Sequence, residues 1–436
     1  MKTMRLSILT AAVAAALSLS LSACNTAPTA SSAQTALATR ASQVRLIEGN
    51  WDTFNRSRIE NLITTYGKFS PNYNPAKPPY VVFDWDNTSV FLDIEEATLI
   101  YQLENLRFGA TPGQLDKAVR MNIPAKDFAL KNAAGQAINI DKIAADINKS
   151  YTWLYGNYVG FAGDKPLSEI KKTPQYKDFI VKVRFLYEAI GETFDHATSY
   201  PWVTYLFAGM TEAQVRALAA ETTLWQETQP VESVKWQSPA ELPGAAGVVS
   251  ISWKNGLRLV PEMKDLYNKF RAAGFDVYVC SASFIDVIKE ISSNPAFGYG
   301  NSADRVLAME LERDANGVIQ PEYRKGYAQT QGPGKTEMIK RFLVSRYGYG
   351  PIFVAGDSEG DQNMMQDFAD TKLVLVVNRL RKATTDVGKF SKIAVDTYKK
   401  PDAKFLLQGR DDNKGIFVPS QLHFKLGAQK GLALPQ

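Results

Sequence analysis

The sequence predicts an α/β domain with a doubly wound, mostly parallel sheet, interrupted by a large and mainly helical insertion. Three observations carry this expectation. Short, fully apolar runs such as Tyr80–Phe83, Phe275–Cys280, Pro351–Ala355 and Leu373–Val377 read as strands buried on both faces. From about residue 263 onward, helical periods alternate with such runs. Between about residues 95 and 245 the pattern changes to helical stretches with crowded aromatics and no sharp strand ends.

Composition narrows the functional classes. The chain has 436 residues, 45% of them hydrophobic, which supplies a sizeable core and excludes a fibrous repeat or a chain disordered throughout. Two His and two Cys leave little for a zinc site built on imidazole or thiolate. The formal net charge is +5, and Lys2 and Arg5 contribute two of those positives, so no nucleic-acid partner is expected.

Residues 1–23 read as an export signal: basic Lys2 and Arg5, an apolar run of about 16 residues from Leu6 to Leu21, then small residues. That run is shorter than the roughly 20 residues a spanning helix requires. Leu21-Ser22-Ala23-Cys24 resembles a bacterial lipobox, which implies lipidation of Cys24 and a membrane anchor. Asn25 follows instead of Asp, and the resemblance then implies the outer membrane, with the protein facing the periplasm. Residues 24–45, poor in bulky apolar side chains, read as a flexible tether. Cys280 is left without a disulfide partner and is expected to be buried and inert.

The folded elements follow in order. Residues 46–94 form the first part of the core domain. A helical face runs through Phe54, Ile59, Leu62 and Ile63, and Pro71, Pro75, Pro78 and Pro79 exclude a helix after it. Tyr80–Phe83 then delivers Asp84-Trp85-Asp86-Asn87-Thr88 at its carboxyl end. The insertion, residues 95–250, carries helices at about 95–106, 112–120, 175–191 and 211–221. The core resumes over 251–436. A helix from Met263 to Ala273 ends at Gly274, the Phe275–Cys280 strand turns into a helix at about 284–292, and a further strand lies near Arg305–Met309. A hairpin around Asp314–Gly317, a helix from Lys335 to Arg346, and the strands ending at Ala355 and Val377 complete the pattern. No element is assigned after residue 400. His196 and His423 lie far from every motif and are expected to be structural.

Two carboxylate pairs stand at the ends of separate strands: Asp84 with Asp86, and Asp357 with Asp361 in Gly356-Asp-Ser-Glu-Gly-Asp361. Strand ends of a parallel sheet are where ligands bind. Converging carboxylates repel unless a cation or protons intervene, and Mg²⁺ suits two or three carboxylates with phosphate and water. Helix capping would explain one pair but not both. Ser281 follows another apolar strand, and Lys335 opens a helix after Gly332-Pro-Gly334, which places a hydroxyl and an ammonium where a phosphate would need them. Gly332–Thr336 resembles the end of a nucleotide-binding P-loop, but residue 329 is Gln where that pattern requires Gly.

Phe83-Asp84-Trp-Asp86-Asn-Thr88, Cys280-Ser281-Ala-Ser-Phe, Lys335, and Gly356-Asp357-Ser-Glu-Gly-Asp361-Gln-Asn-Met resemble, in order, the four motifs of the haloacid dehalogenase-like phosphatases. The resemblance implies a Rossmann-like core with a cap inserted after the first motif, and a phosphoric monoester hydrolase working through an aspartyl-phosphate. It assigns Asp84 as nucleophile and Asp86 as general acid and base. Mg²⁺ would be held by Asp84, the backbone carbonyl of Asp86 and Asp357, with Asp361 as a further ligand or orienting a metal-bound water. Phosphoryl oxygens would be held by Ser281, Lys335 and backbone N–H groups at Asn87, Thr88 and Ala282.

The exported chain with an Asp-x-Asp-Asn-Thr first motif is similar to bacterial phosphorylcholine phosphatases, close to phosphoserine-type enzymes. That similarity implies a small phosphate monoester as substrate, read by the cap. Tyr151, Trp153, Trp202 and Tyr205 are candidates for a quaternary ammonium site, and Glu95 and Glu96 for contacts to a cationic leaving group. A broad phosphatase for phosphate scavenging shares every catalytic residue and is the alternative. A catalytically silent, lipid-anchored binding protein is the alternative of another class, against which both Asp84 and Asp86 speak.

Overall fold

The computed structural model describes residues 44–435. The signal segment, Cys24 and most of the tether lie outside the described residues. The core is one six-stranded sheet in which every neighbouring pair is parallel. Its strands are β1 (Tyr80–Phe83), β2 (Asp276–Phe284), β3 (Val306–Met309), β4 (Phe353–Gly356), β5 (Leu373–Val377) and β6 (Phe405–Gln408), in the spatial order β6-β5-β4-β1-β2-β3. β1 is central and all four of its residues are buried, as a strand covered on both faces must be. Phe83 lies opposite Val279 of β2 and Ala355 of β4, so Asp84 and Asp357 leave adjacent strands at the same edge.

Helix α1 (Thr53–Tyr66) starts at Asp52, whose carboxylate accepts the N–H groups of Phe54 and Asn55. It reaches the far edge of the sheet, where Asn55 Nδ2 donates to Leu407 O at 2.9 Å. After β1 the chain runs through a short antiparallel ribbon, Val90–Phe91 against Arg258–Leu259. Everything between these two strands is the inserted cap.

The cap contains α2 (Ile94–Glu104), α3 (Pro112–Arg120), α4 (Ile140–Asn157), α5 (Pro174–Thr193), α6 (His196–Trp202) and α7 (Glu212–Thr228). It also contains two hairpins, Asp127–Lys131 with Ala137–Asn139 and Glu232–Gln237 with Ser250–Asn255. The sequence reading has no helix at α4, where Asn139 caps the first turn by accepting Lys142 N–H. The core then supplies α8 (Pro261–Ala272), α9 (Ile285–Ser293), α10 (Pro333–Met338), α11 (Gln362–Gln366) and α12 (Asp386–Asp396). α10 does not continue as a regular α-helix to Arg346: Ile339–Val344 winds as a π-helix. Beyond β6, where the sequence pattern was mute, Arg410–Asp411, Ile416–Phe417 and His423–Phe424 make a small three-stranded sheet.

Candidate active site

β1 and β4 end side by side, and the two carboxylate pairs meet there. Asp84, Asp357 and Asp361 are all buried, and each offers one oxygen within 4.8 Å of the others. Thr88 Oγ1 lies 3.0 Å from Asp84 Oδ2 and 3.1 Å from Asp357 Oδ1, which ties the first motif to the fourth. Lys335, at the start of α10 and 1% exposed, donates to Asp84 Oδ1 at 2.7 Å and Asp361 Oδ1 at 2.6 Å. Asp361 Oδ2 accepts the backbone N–H groups of Asp357 and Ser358, both at 3.0 Å, so the loop folds onto its own carboxylate.

Asp86 sits apart from that trio. Its Oδ1 accepts Ile94 N–H at 2.7 Å, and its Oδ2 accepts the Ser283 hydroxyl at 2.6 Å. The loop reverses sharply to bring it there: Asn87 has φ 59° and Leu92 φ 67°, and Asn87 N–H donates to Leu92 O at 2.8 Å. Left-handed backbone is tolerated by Asn and costly for Leu, and such strain gathers at functional loops.

Charge sets the protonation states. Burial and the neighbouring Asp361 push the Asp84 carboxyl up, with Lys335 opposing them. Burial and Asp93 push Asp86 well above the carboxylate range. Burial would lower the Lys335 ammonium, but Asp361 and Asp84 outweigh it and hold Lys335 charged.

The carboxylate trio fits a hard divalent cation. The three carboxylates Asp84, Asp357 and Asp361 outnumber the two cations that touch them, Lys335 and Arg379, the latter donating to Asp357 Oδ2 at 2.7 Å. Net negative charge therefore remains at the trio, and the oxygen-only donor set is the one Mg²⁺ takes. The Asp86 side chain is not in that set, being committed to Ile94 and Ser283.

A cavity of about 500 Å³ opens above Asp84. Asp86, Asn87, Ala282, Ser283, Lys335, Asp357 and Asp361 line its floor, and Asp93, Glu95, Glu96, Tyr187, Glu188 and Tyr200 line the cap side. Ser281 is fully buried behind Ala282 and Ser283, its Oγ accepting Ser283 N–H at 3.1 Å. Thr88 lies behind the wall. Glu95 Oε2 accepts Phe284 N–H at 2.8 Å, while its buried Oε1 has no protein partner. Glu96 pairs with Arg184 of α5.

The aromatic candidates are not at this cavity. Tyr151 is fully buried in the cap core and donates to Ala110 O at 2.7 Å. Trp202 donates to Val119 O at 2.9 Å, and the Tyr205 hydroxyl accepts from Asn122 at 3.2 Å. Trp153 lines a separate cap cavity beside Asp146 and Lys182. None of the four rings reaches the cavity above Asp84, so none supplies a box for a quaternary ammonium there. His196 is corrected in the opposite direction: it lines the catalytic cavity and stacks on Tyr200, with ring centroids 4.6 Å apart. Sequence reasoning also missed Tyr187, Ser283, Arg379 and Arg381. Only Ser283, two residues past Ser281 in an extended strand, carried a sequence signal.

Residues 189–366 match the family model described as haloacid dehalogenase-like hydrolase; the match spans Ser281, Lys335, Asp357 and Asp361 but not Asp84. A crystal structure of a conserved protein of unknown function from Anaerococcus prevotii superposes with a TM-score of 0.80 at 32% identity, covering 86% of this chain and 97% of that one. Among curated proteins, a phosphorylcholine phosphatase of Pseudomonas aeruginosa is 24% identical over 236 residues, 54% of this chain. The chain matches 50% of that relative's length.

Proposed function

We propose that this chain, similar over residues 189–366 to the haloacid dehalogenase-like hydrolases, is a Mg²⁺-dependent phosphomonoesterase acting through an aspartyl-phosphate. The observation that carries the reading is the meeting of Asp84, Asp357 and Asp361 within 4.8 Å, bridged by a charged Lys335, beneath an open cavity.

In the first step an Asp84 oxygen bonds to phosphorus as the bond from phosphorus to the leaving alcohol breaks. Asp86, biased toward its protonated form, gives its proton to the departing oxygen. A water then attacks phosphorus, Asp86 takes the water's proton, and the Asp84–phosphorus bond breaks to release inorganic phosphate. Lys335 holds Asp84 in place and offers its charge to phosphoryl oxygens. Mg²⁺ bound by Asp84, Asp357 and Asp361, with the Asp86 carbonyl, would supply the remaining neutralisation.

The cap side of the cavity supports a substrate whose leaving alcohol carries a positive group, such as phosphorylcholine. Asp93 and Glu95 line that side with Tyr187 and Tyr200, together with Glu96 and Glu188, which share the one cation Arg184 between them. The export signal and Cys24 support a lipid-anchored protein of the cell envelope, acting on extracytoplasmic esters.

Hydrolysis of p-nitrophenyl phosphate tests the chemistry. Activity is expected with Mg²⁺, abolished by EDTA, and reduced at least about a thousandfold in Asp84→Asn. Metal-independent turnover, or an Asp84→Asn enzyme as fast as the parent, would reject the mechanism. At matched concentration, phosphorylcholine and phosphoethanolamine should outrun phosphoserine and a nucleoside monophosphate. Equal rates would favour a broad phosphate scavenger.

A further inference from the structure

The segment after β6 reaches back into the active-site loop. Arg410, 2% exposed, donates from Nη1 to Asn87 Oδ1 at 3.1 Å, and its guanidinium lies over the Phe91 ring, 4.7 Å from the centroid. Its Nε donates to Asp412 Oδ1 at 2.8 Å, an oxygen also 3.0 Å from His423 Nε2. The nearby turn packs as closely. A Cβ on Gly415 would stand 2.9 Å from Arg258 Cγ and 3.1 Å from Phe91 Cδ1. Arg258 and Phe91 belong to the paired strands that lead into and out of the cap.

We propose that Arg410, fixed by Asp412, is a positioning residue for phosphoryl transfer that acts through Asn87. This rests on the phosphatase reading above. Asn87 is the left-handed residue immediately after Asp86, and the loop it reverses returns as Ile94, whose N–H holds Asp86. Within that reversal Arg410 grips the Asn87 side chain and covers the Phe91 ring. A buried guanidinium with its charge balanced by Asp412 is rigid enough for the task, because breaking that pair would strand a buried charge and losing Asn87 would leave a buried donor without a partner. The geometry it protects is that of the acid serving the leaving group, where a displacement near 1 Å costs up to about a hundredfold in rate.

The test is a double-mutant cycle with Arg410→Met and Asn87→Gly, the glycine keeping the positive φ while removing the side-chain acceptor. Each protein is assayed on an alkyl phosphate and on p-nitrophenyl phosphate, whose phenolate leaves with little need of a proton. Each single variant should slow the alkyl ester about tenfold or more, and the aryl ester much less. The double variant should be no slower than the worse single one. Equal slowing of both esters, losses that multiply in the double variant, or parent rates in Arg410→Met would overturn the proposal. Thermal unfolding is read alongside. If Arg410→Met does not fold, the split between the two esters in Asn87→Gly decides alone, and equal slowing there overturns the proposal. A parent inactive on every ester would overturn the phosphatase reading, whereas an active, metal-dependent parent with uniform losses would overturn only the role of Arg410.

Discussion

Glu95 shows what burial does to a single carboxyl in this protein. It is 3% exposed, has one oxygen on Phe284 N–H and the other without a partner, and burial pushes its pKa from 4.5 to about 8. The folded state therefore keeps a proton that the unfolded chain releases between those values. Where the folded state binds more protons, stability falls as pH rises, so this group withdraws stability from about pH 4.5 to about pH 8. Glu95→Gln imitates the neutral form. Its unfolding temperature should match the parent near pH 4.5, exceed it at pH 8, and vary less between the two. Parallel pH profiles would show that Glu95 is already ionised in the folded protein. At this scale the chemistry was legible in the sequence wherever a residue sits at a strand end, as Asp84 and Asp357 do. It was illegible where the cap's packing decides: Tyr151 and Trp202 turn inward to fill the cap core, and His196 and Tyr187 turn toward the cavity.

At the scale of elements, the β4 end is the tightest joint. A Cβ on Gly356 would lie 2.5 Å from Met365 Cε and 2.7 Å from Asp361 Cβ. Met365 can swing away, but Asp361 cannot without leaving Asp357 N–H and Lys335. Gly356→Ala should therefore cost about 1–3 kcal/mol of stability, as overpacking does, and raise the Mg²⁺ concentration needed for half-maximal activity. Urea unfolding and a metal titration check both, and parent values in each would contradict the packing described. Core strands were readable because residues buried on both faces leave an unbroken apolar run. α4 was not readable, since its aromatic text, Tyr151 to Tyr155, has no capping signal beyond a lone Asn139. The strands at 410–411, 416–417 and 423–424 are two residues long, too short to carry a readable period.

At the scale of the molecule, the fold separates two tasks. The parallel sheet brings four motifs, scattered from residue 84 to residue 361, to one edge, and the insertion between the paired strands at residues 90 and 258 covers them. The general architecture follows from the alternation of strands and helices, whereas the orientation of the cap follows from cap-to-core contacts such as Arg216 with Glu290 and Glu95 with Phe284 N–H that no local pattern encodes. The nucleophile is the point on which both tasks converge. Enzyme quenched in acid during turnover and then reduced with borohydride reports directly on it, because a phosphorylated aspartate is converted to homoserine while a free one is not. The peptide containing residue 84 should carry homoserine, and only when substrate and Mg²⁺ are both present. A peptide left unchanged through active turnover, or homoserine at Asp86, Asp357 or Asp361 instead, would contradict the account.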